Sequence, residues 1–338
     1  MTGTELAVIR PEPEPEADAN RQSVALTAAL AASTLFEALS LAPSTLETYS
    51  RAFAVFMDRC DTLGVPPLPC TTEHLCAVIG AMAADGLSAS RIAVVLAAVR
   101  KAHRGHGFPD PTANERVRTI LKGVRNAFGI APNRKAPLHA LPRPDERISE
   151  LERVLEVIDA YTLVGKRDRA ILLLGFAAAL RRSEIAALEV GDLEHTPKGM
   201  LVTITRSKTD QAAEGQVVAV PHGKLGRCPV HAVQEWLQAA RFVEGRLFRG
   251  VRKNGLLRAG LTPHSIGVIL KRRFRIAGLD TEDYSAHSLR SGFLTSAADN
   301  GATVFQLMNV SRHRDLKTLQ RYVRRRTDFD DYAGDGLL

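Results

Sequence analysis

From about residue 21 to about residue 130 the hydrophobic positions follow a helical period. Ser44-Thr45-Leu46-Glu47 has the form of a capping box, and the helix predicted after it carries Tyr49, Phe53 and Phe56 on one apolar face. Further helix starts are predicted at Thr71-Thr72-Glu73, at Ser88, and at Asn114 or Glu115. Because these amphipathic helices follow one another with short polar breaks, we expect them to pack into one bundle.

The second half of the chain combines helices with one short β-rich region. M-L-V-T-I-T-R-S-K-T and G-Q-V-V-A-V-P have the β-branched content of strands and flank residues 209–214, so they predict a β-hairpin. Helices are predicted from about Ser149 and Lys166, and over Pro229–Val243, Pro263–Ala277, His287–Asn300 and Val304–Asn309. The predicted fold class is therefore mainly α with a small β-sheet.

Two segments fit neither period. The first twenty residues contain P-E-P-E-P-E-A and predict a disordered acidic tail. Residues 131–147 hold four prolines without an apolar period and predict an extended linker. A chain of 338 residues usually forms more than one domain, so we expect a tail over 1–20, a helical domain over 21–130, the linker, and a second domain over 148–338.

The charge of the chain favours a polyanionic partner. There are 45 Lys and Arg against 37 Asp and Glu, a net charge of +8, although the N-terminal tail is acidic. The folded part is therefore more basic than the total indicates, as is common in proteins that bind nucleic acid.

Cysteine usage and hydropathy indicate a cytoplasmic protein. The four cysteines form no C-x-x-C pair, and the chain shows neither a signal-peptide pattern nor an apolar run long enough for a bilayer. Cys228-Pro-Val-His231 lacks a second pair of zinc ligands. The glycine-rich nucleotide motifs and paired metal-binding carboxylates are absent, so we expect no cofactor and no metal.

Four stretches in the second half carry the candidate chemistry. They are A-A-L-R-R-S-E-I around Arg181, R-S-K-T around Lys208, H-S-L-R from His287 to Arg290, and R-H-R-D-L-K-T-L-Q-R-Y from Arg312 to Tyr322. Guanidinium groups suit phosphodiester cleavage, because each is permanently charged and presents a planar fork to a phosphate. His287 and Arg290 share a helical face by their spacing and can contact one phosphate together.

In this order and at these spacings the stretches resemble the tyrosine recombinase (phage integrase) family. The resemblance extends from about residue 40 to the end, and its details are similar to the Cre-like and the transposon or plasmid integrase branches. It implies a two-domain DNA clamp, in which a helical core-binding domain precedes a mixed α/β catalytic domain. The chain departs from the usual family pattern at Ala179 and Arg312, where glycine is common, and at Ser291, where a second histidine is common.

The resemblance also implies a role for each matching residue. Tyr322 is the expected nucleophile, which forms a 3′-phosphotyrosine without metal or ATP. Its phenol has a pKa near ~10, so it needs neighbouring cations or a base such as His287. Lys208, at the predicted hairpin tip, is the expected general acid for the departing 5′ oxygen. The expected catalytic set is Arg181, Lys208, His287, Arg290, His313 and Tyr322, with Glu184 orienting Arg181.

The expected partner is a double-stranded DNA recombination site bound by a homotetramer on two sites, with a dimer on each site. Basic side chains near helix ends, together with one on the hairpin, are the candidate DNA contacts: Arg100, Lys101, Arg104, Arg118, Lys122, Arg125 and Arg206. Four apolar residues after the nucleophile can pack on a neighbouring subunit or on their own domain: Phe329, Tyr332, Leu337 and Leu338.

Two other functions share part of this pattern. A type IB topoisomerase uses the same chemistry as a monomer, but the Cre-like N-terminal bundle argues against it. A DNA-binding regulator could keep the scaffold without the reaction, but all six expected catalytic residues are present. The sequence therefore favours a site-specific DNA recombinase.

Overall fold

The computed structural model describes residues 42–128, 135–205, 215–224, 226–313, 315–316 and 319. Within it the chain divides into two units, Met1–Pro132 and Asn133–Leu338. The predicted acidic tail and the segment that carries Phe329 to Leu338 lie outside the described residues.

The first unit is built from helices. They are α1 (Pro43–Leu63), α2 (Thr72–Ala84), α3 (Ala89–Gly105) and α4 (Glu115–Phe128), with a 3₁₀ turn at Pro111–Ala113. Thr71 and Ser88 cap α2 and α3 by accepting hydrogen bonds from the backbone N–H groups of His74 and Arg91, as the sequence predicts. Local capping chemistry therefore sets these boundaries.

The start of α1 differs from the prediction. The helix begins at Pro43, and Ala42 occupies the N-cap position without a side-chain hydrogen bond. The predicted cap, Ser44, lies inside the first turn. Proline is favoured there because its fixed φ suits a helix and its missing N–H would have no intrahelical partner.

The core of the first unit lies between α1, α2, α3 and α4. Phe56 is fully buried, and Tyr49 and Phe53 pack against the same core, which confirms the predicted apolar face. His103 is also fully buried: its Nε2 accepts a hydrogen bond from the backbone N–H of Cys70 at 2.9 Å, and its Nδ1 bonds to the carbonyl of Val99 at 2.9 Å. This imidazole is part of the core and not of the basic surface.

The second unit mixes helices with two small antiparallel sheets. Its helices are α5 (Glu150–Glu156), α6 (Leu163–Ala177), α7 (Arg182–Ala187), α8 (Pro229–Ala240), α9 (Pro263–Ile276), α10 (His287–Asp299) and α11 (Val304–Ser311). Its strands are β1 (Leu193–Thr196), β2 (Gly199–Ile204), β3 (Gln216–Pro221), β4 (Arg249–Val251) and β5 (Leu257–Gly260). The predicted fold class, mainly α with a small sheet, is confirmed.

The predicted hairpin is the pair β2 and β3, which runs antiparallel from Gly199 opposite Pro221 to Ile204 opposite Gln216. The sheet order is β1-β2-β3, and β4 pairs with β5 in a separate sheet. Strands β1, β4 and β5 were not predicted, because strands of three or four residues are too short to show alternation.

Part of the predicted linker belongs to the second unit. Leu138 is fully buried in the core of that unit, and its backbone N–H donates to the carbonyl of Ser288 at 3.0 Å. The N–H of Ala136 donates to the carbonyl of Asp283 at 2.7 Å, and that of Ala140 donates to Ser296 Oγ at 2.9 Å. Residues 136–140 are extended but attached along α10. The prolines predicted a free linker, but the burial of Leu138 fixes this part of it to the second unit.

The core of the second unit centres on α6. The side chains from Ala170 to Leu174 are all buried, and α6 packs on α8, whose Trp236 is fully buried. A buried ion-pair network joins α6 to α9: Asp168 accepts from Arg167 and, at 2.7 Å, from Arg273. No helix in the described part of the chain is long and apolar enough to cross a membrane.

Candidate active site

Arg181 lies in the turn between α6 and α7. The helix α6 ends before Ala179, whose φ is +47°, and Arg181 takes the N-cap position of α7. Its backbone N–H donates to Glu184 Oε2 at 2.8 Å, and its Nη1 donates to Glu184 Oε1 at 2.7 Å. The side chain of Arg181 remains 21% exposed while Glu184 is buried. The carboxylate therefore orients a guanidinium that can still reach a phosphate.

The conformation of Ala179 bears on the departure from the family pattern at this position, where glycine is common. The left-handed φ shows that this position favours glycine for its backbone freedom, so Ala179 carries conformational strain.

His287 and Arg290 lie in the first turn of α10. His287 is exposed, whereas Arg290 is 1% exposed. Arg290 Nη1 donates to the carbonyl of Ala179 at 2.6 Å, and Nη2 donates to the carbonyl of Ser311. The guanidinium thus bridges the turn before Arg181 and the turn that ends α11.

His313 follows α11 and contacts the same guanidinium. Ser311 Oγ donates to the carbonyl of Leu307 at 2.6 Å, so it can only accept the bond of 2.8 Å that it makes with His313 Nδ1. Nδ1 therefore carries the proton, and Nε2 presents its lone pair to Arg290 Nη2 at 3.4 Å. The hydrogen bonds select one neutral tautomer of this imidazole.

The arginines around the two imidazoles favour their neutral forms. Burial, together with the charges of Arg290 and Arg181, lowers the pKa of His313 to about 4. Partial desolvation and the same two arginines lower the pKa of His287. At neutral pH the site therefore combines fixed cations with uncharged imidazoles, which can accept or pass a proton.

Arg312 makes contacts that the sequence did not predict. It is the C-cap of α11, with φ +57°, and its side chain is 2% exposed. Arg312 Nη2 donates to Glu184 Oε2 at 2.7 Å, and Nη1 donates to the carbonyls of Ala178 at 3.2 Å and Val310 at 3.0 Å. The sequence did contain one indication of this role, because Arg312 places a charged residue where the family commonly has glycine.

Three predicted residues of the site lie outside the described residues: Arg206, Lys208 and Tyr322. The described part of the hairpin ends at the pair Ile204 and Gln216, which flank the segment that holds Lys208. Another tyrosine, Tyr284, precedes the H-S-L-R stretch by three residues; it is buried and donates from its hydroxyl to Glu150 Oε1 at 2.7 Å. Burial and this carboxylate raise the pKa of the Tyr284 phenol, which makes it a poor nucleophile.

The predicted DNA contacts of the first unit are all exposed: Arg100, Lys101, Arg104, Arg118, Lys122 and Arg125. Their charges are not equally available. Asp110 pairs with Arg100 at 3.3 Å and with Arg104 at 3.4 Å, and Arg118 lies 3.5 Å from Glu115. Within the described ranges no ion pair engages Lys101, Lys122 or Arg125, so the charges of these three side chains are more available for phosphates.

In the described part of the chain, no group of three or more His, Cys, Asp or Glu residues is placed to hold a metal ion. Cys228 caps α8, because its Sγ accepts from the backbone N–H of His231 at 3.4 Å. The metal-like fragment of the sequence is thus a helix start.

Comparisons with known proteins identify the family of this chain. The phage integrase family matches residues 147–328. The chain is 31% identical to the integrase/recombinase XerD homologue of Selenomonas ruminantium over 299 residues, which cover 87% of this chain and 85% of that protein. It is 25% identical to the Cre recombinase of Escherichia phage P1 over 71% of this chain and 72% of that protein.

Solved structures show the same fold at lower identity. The integrase of the Tn1549 transposon, in complex with transposon right end DNA, has a TM-score of 0.60 and 18% identity over 88% of this chain and 94% of that one. A lambda integrase dimer bound to a COC′ core site has a TM-score of 0.59 and 15% identity over 87% of this chain and 94% of that one. With a family match across more than half of its length, this chain belongs to the phage integrase family and is a tyrosine recombinase.

Proposed function

We propose that this chain is a site-specific DNA recombinase that cuts and rejoins DNA through a 3′-phosphotyrosine intermediate, without metal or ATP. The observation that carries the proposal is the convergence of Arg181, His287, Arg290 and His313 from three separate parts of the second unit. Together with the Tyr322 stretch, this set supplies what the reaction needs.

The chemistry follows from the charges. Cleavage develops negative charge on the non-bridging oxygens of the phosphate, and preformed cations stabilise that charge best when water does not have to reorganise around them. Arg181 and Arg290 are held by Glu184 and by two backbone carbonyls, so their guanidinium groups are oriented before DNA binds. They are the proposed clamps on the phosphate.

The proton transfers fall to two groups around the clamps, a neutral imidazole as the base and an ammonium group as the acid. In the forward step Tyr322 Oη attacks phosphorus, His287 accepts the phenolic proton, and the 5′ oxygen leaves with a proton from Lys208. The products are a 3′-phosphotyrosine and a free 5′-hydroxyl. A 5′-hydroxyl from the partner duplex then attacks the phosphotyrosine, which restores the phosphodiester and the phenol. The energy of the original bond is kept in the ester.

The proposed partner is a double-stranded recombination site. Two proteins of similar fold are bound to DNA: the Tn1549 integrase to transposon right end DNA, and a lambda integrase dimer to a COC′ core site. For this chain we propose that the exposed basic residues of α3 and α4 contact phosphates, and that a dimer on each site pairs into a homotetramer. Sedimentation of the protein with one site or with two would distinguish the dimer from the tetramer. Such a protein acts where the genomic DNA lies, at the nucleoid.

The covalent intermediate is the direct test. Tyr322→Phe should abolish the protein–DNA adduct on a nicked suicide substrate and leave DNA affinity nearly unchanged, because the phenol bonds to DNA only during cleavage. Gel electrophoresis under denaturing conditions detects the adduct. Tyr161→Phe is the matched control, since that phenol is 96% exposed, and it should form the adduct like the wild type.

Two results would contradict the proposal. An adduct formed by Tyr322→Phe would show that another residue is the nucleophile. Cleavage by the wild type that stops in EDTA and leaves no adduct would replace the tyrosine mechanism with a metal-dependent one.

A further inference from the structure

Arg312 occupies a backbone conformation that an arginine does not favour. Its φ of +57° places it in the left-handed region, where the side chain crowds the backbone and glycine is preferred. Burial of its charge carries a further desolvation cost. An arginine kept at such a position must make contacts that offset both costs, and strained backbone of this kind is concentrated at functional sites.

The contacts of Arg312 all lead to the site. Its Nη2 donates to Glu184 Oε2 at 2.7 Å, and the other oxygen of that carboxylate holds Arg181 Nη1 at 2.7 Å. Its Nη1 reaches the carbonyl of Ala178, next to Ala179, whose own carbonyl accepts from Arg290. Two buried arginines thus join the turn 178–181 to the turn 311–313.

The charges give this arrangement a second consequence. Glu184 is 1% exposed and lies between two guanidinium groups. If Glu184 faced Arg181 alone, the carboxylate would offset most of the positive charge that Arg181 offers to a phosphate. Arg312 supplies a second cation to the same carboxylate, so the three side chains together keep a net positive charge.

We propose that Arg312 is a positioning residue, which holds Arg181 through the shared carboxylate of Glu184 and ties the turn of His313 to the turn of Arg181. This inference rests on the proposed function, since it concerns the rate of DNA cleavage. The side chain of Arg312 is itself only 2% exposed, and in this role it does not have to touch the DNA.

Replacement of Arg312 by glycine separates the side chain from the backbone. Glycine suits the left-handed φ, so the turn keeps its conformation while the ion pair is lost. Arg312→Gly should slow adduct formation on the suicide substrate by about 10- to 100-fold, the range expected when a catalytic group is displaced by up to an ångström. The dissociation constant for the site should change by less than about threefold, because the other phosphate contacts remain.

Arg241→Gly is the matched control. Arg241 is also a helix C-cap in the left-handed region, with φ +53°, but at the end of α8. Its replacement relieves the same backbone strain without a change in the site, so its rate of adduct formation should equal that of the wild type.

A double-mutant cycle tests the route through Glu184. If Arg312 acts through that carboxylate, Arg312→Gly should cost less in a Glu184→Gln protein than in the wild type. Equal losses in the two backgrounds, or an Arg312→Gly protein that cleaves within about twofold of the wild type, would overturn the inference.

A conservative variant covers the case in which Arg312→Gly does not fold. Arg312→Lys retains the charge but cannot hold Glu184 and the two carbonyls at once, so it should cleave more slowly than the wild type and faster than any folded glycine variant. If the lysine variant cleaved at the wild-type rate, the guanidinium of Arg312 would not be needed to hold Glu184 and the two carbonyls together. Absence of an adduct with the wild type itself would instead refute the proposed function and, with it, this inference.

Discussion

At the scale of single residues, two positions with positive φ shape the site. Ala179 and Arg312 stand where relatives commonly carry glycine, and both adopt the left-handed conformation that explains the preference. The two replacements are not equivalent. The Arg312 side chain makes an ion pair and two hydrogen bonds to carbonyls, whereas the methyl group of Ala179 has no polar contact to offset its strain.

Ala179→Gly should therefore stabilise the second unit. Relief of the left-handed strain outweighs the greater entropy of glycine in the unfolded chain, for a net gain of about 0.5–1 kcal/mol. Urea unfolding followed by circular dichroism measures the change. Ala178→Gly is the control: with φ −93° it has no strain to relieve, so it should be neutral or destabilising. Equal stabilisation by both variants would refute the explanation.

The depressed pKa of His313 predicts a dependence of stability on pH. The unfolded imidazole binds a proton near pH ~6.5, while the folded one does so only near about 4, so the unfolded state binds more protons between these values. The contribution of His313 to the free energy of unfolding is thus fully present above pH ~6.5 and is lost as the pH falls towards about 4. The loss is on the order of 2–3 kcal/mol.

The free energy of unfolding measured from pH 4 to pH 8 checks this prediction. His313→Gln should show a shallower loss between those limits, because glutamine does not titrate, while other groups contribute equally to both proteins. Parallel curves for the two proteins would mean that His313 titrates normally in the folded state.

At the scale of elements, the extended segment 136–140 and helix α10 depend on one glycine. A Cβ at Gly292 would lie 2.0 Å from the carbonyl oxygen of Leu138, so only glycine permits the segment to run this close to the helix. The same segment is held by backbone hydrogen bonds to Ser288 and by Ser296. Gly292 in the H-S-L-R-S-G stretch is therefore a packing requirement of α10.

Gly292→Ala should displace this segment and destabilise the second unit by ~1–3 kcal/mol or more, the usual cost of overpacking against backbone. Urea unfolding gives the magnitude, and faster hydrogen exchange at the N–H groups of Leu138 and Ala140 would locate it. Gly123→Ala is the control, because Gly123 is also helical but its added Cβ would meet no atom within 4 Å. The control should gain stability from helix propensity. Unchanged stability of Gly292→Ala would contradict the close approach.

At the scale of the whole molecule, the net charge of +8 does not by itself indicate which surface contacts DNA. The distribution of the charge among the helices does. The ion pairs to Asp110 offset part of the charge on α3, while Lys122 and Arg125 of α4 are exposed without an ion pair among the described residues. The exposed face of α4 is thus the stronger candidate for contacts with phosphates.

The Lys122→Ala, Arg125→Ala double variant should weaken DNA binding and reduce the slope of log K against log salt by about two, since each phosphate contact contributes roughly 0.9. Titrations at several salt concentrations measure the slope. Arg51→Ala, Arg59→Ala is the control with the same loss of charge, because those side chains pair with Glu47 and Asp85. Equal changes in slope for the two proteins would indicate a general charge effect.

Local sequence signals were sufficient for much of this organisation. Thr71, Ser88 and Ser149 cap helices because a side-chain oxygen satisfies an N–H group a few residues away. The β-branched content of β2 and β3 likewise predicts their pairing as a hairpin. The family, its reaction and the identity of the four stretches also follow from residue types in order. These properties depend on chain neighbours, which the sequence displays directly.

Local signals could not predict that Arg290 and Arg312 join the turn 178–181 to the turn 311–313. Arg290 reaches Ala179 across 111 residues and Arg312 reaches Glu184 across 128, so each contact exists only once α6, α10 and α11 have packed. The same packing anchors Leu138, turns Ala179 to a positive φ, and lowers the pKa of His313 by burial beside arginines. Burial and long-range charge depend on the positions of distant residues, and folding determines those positions.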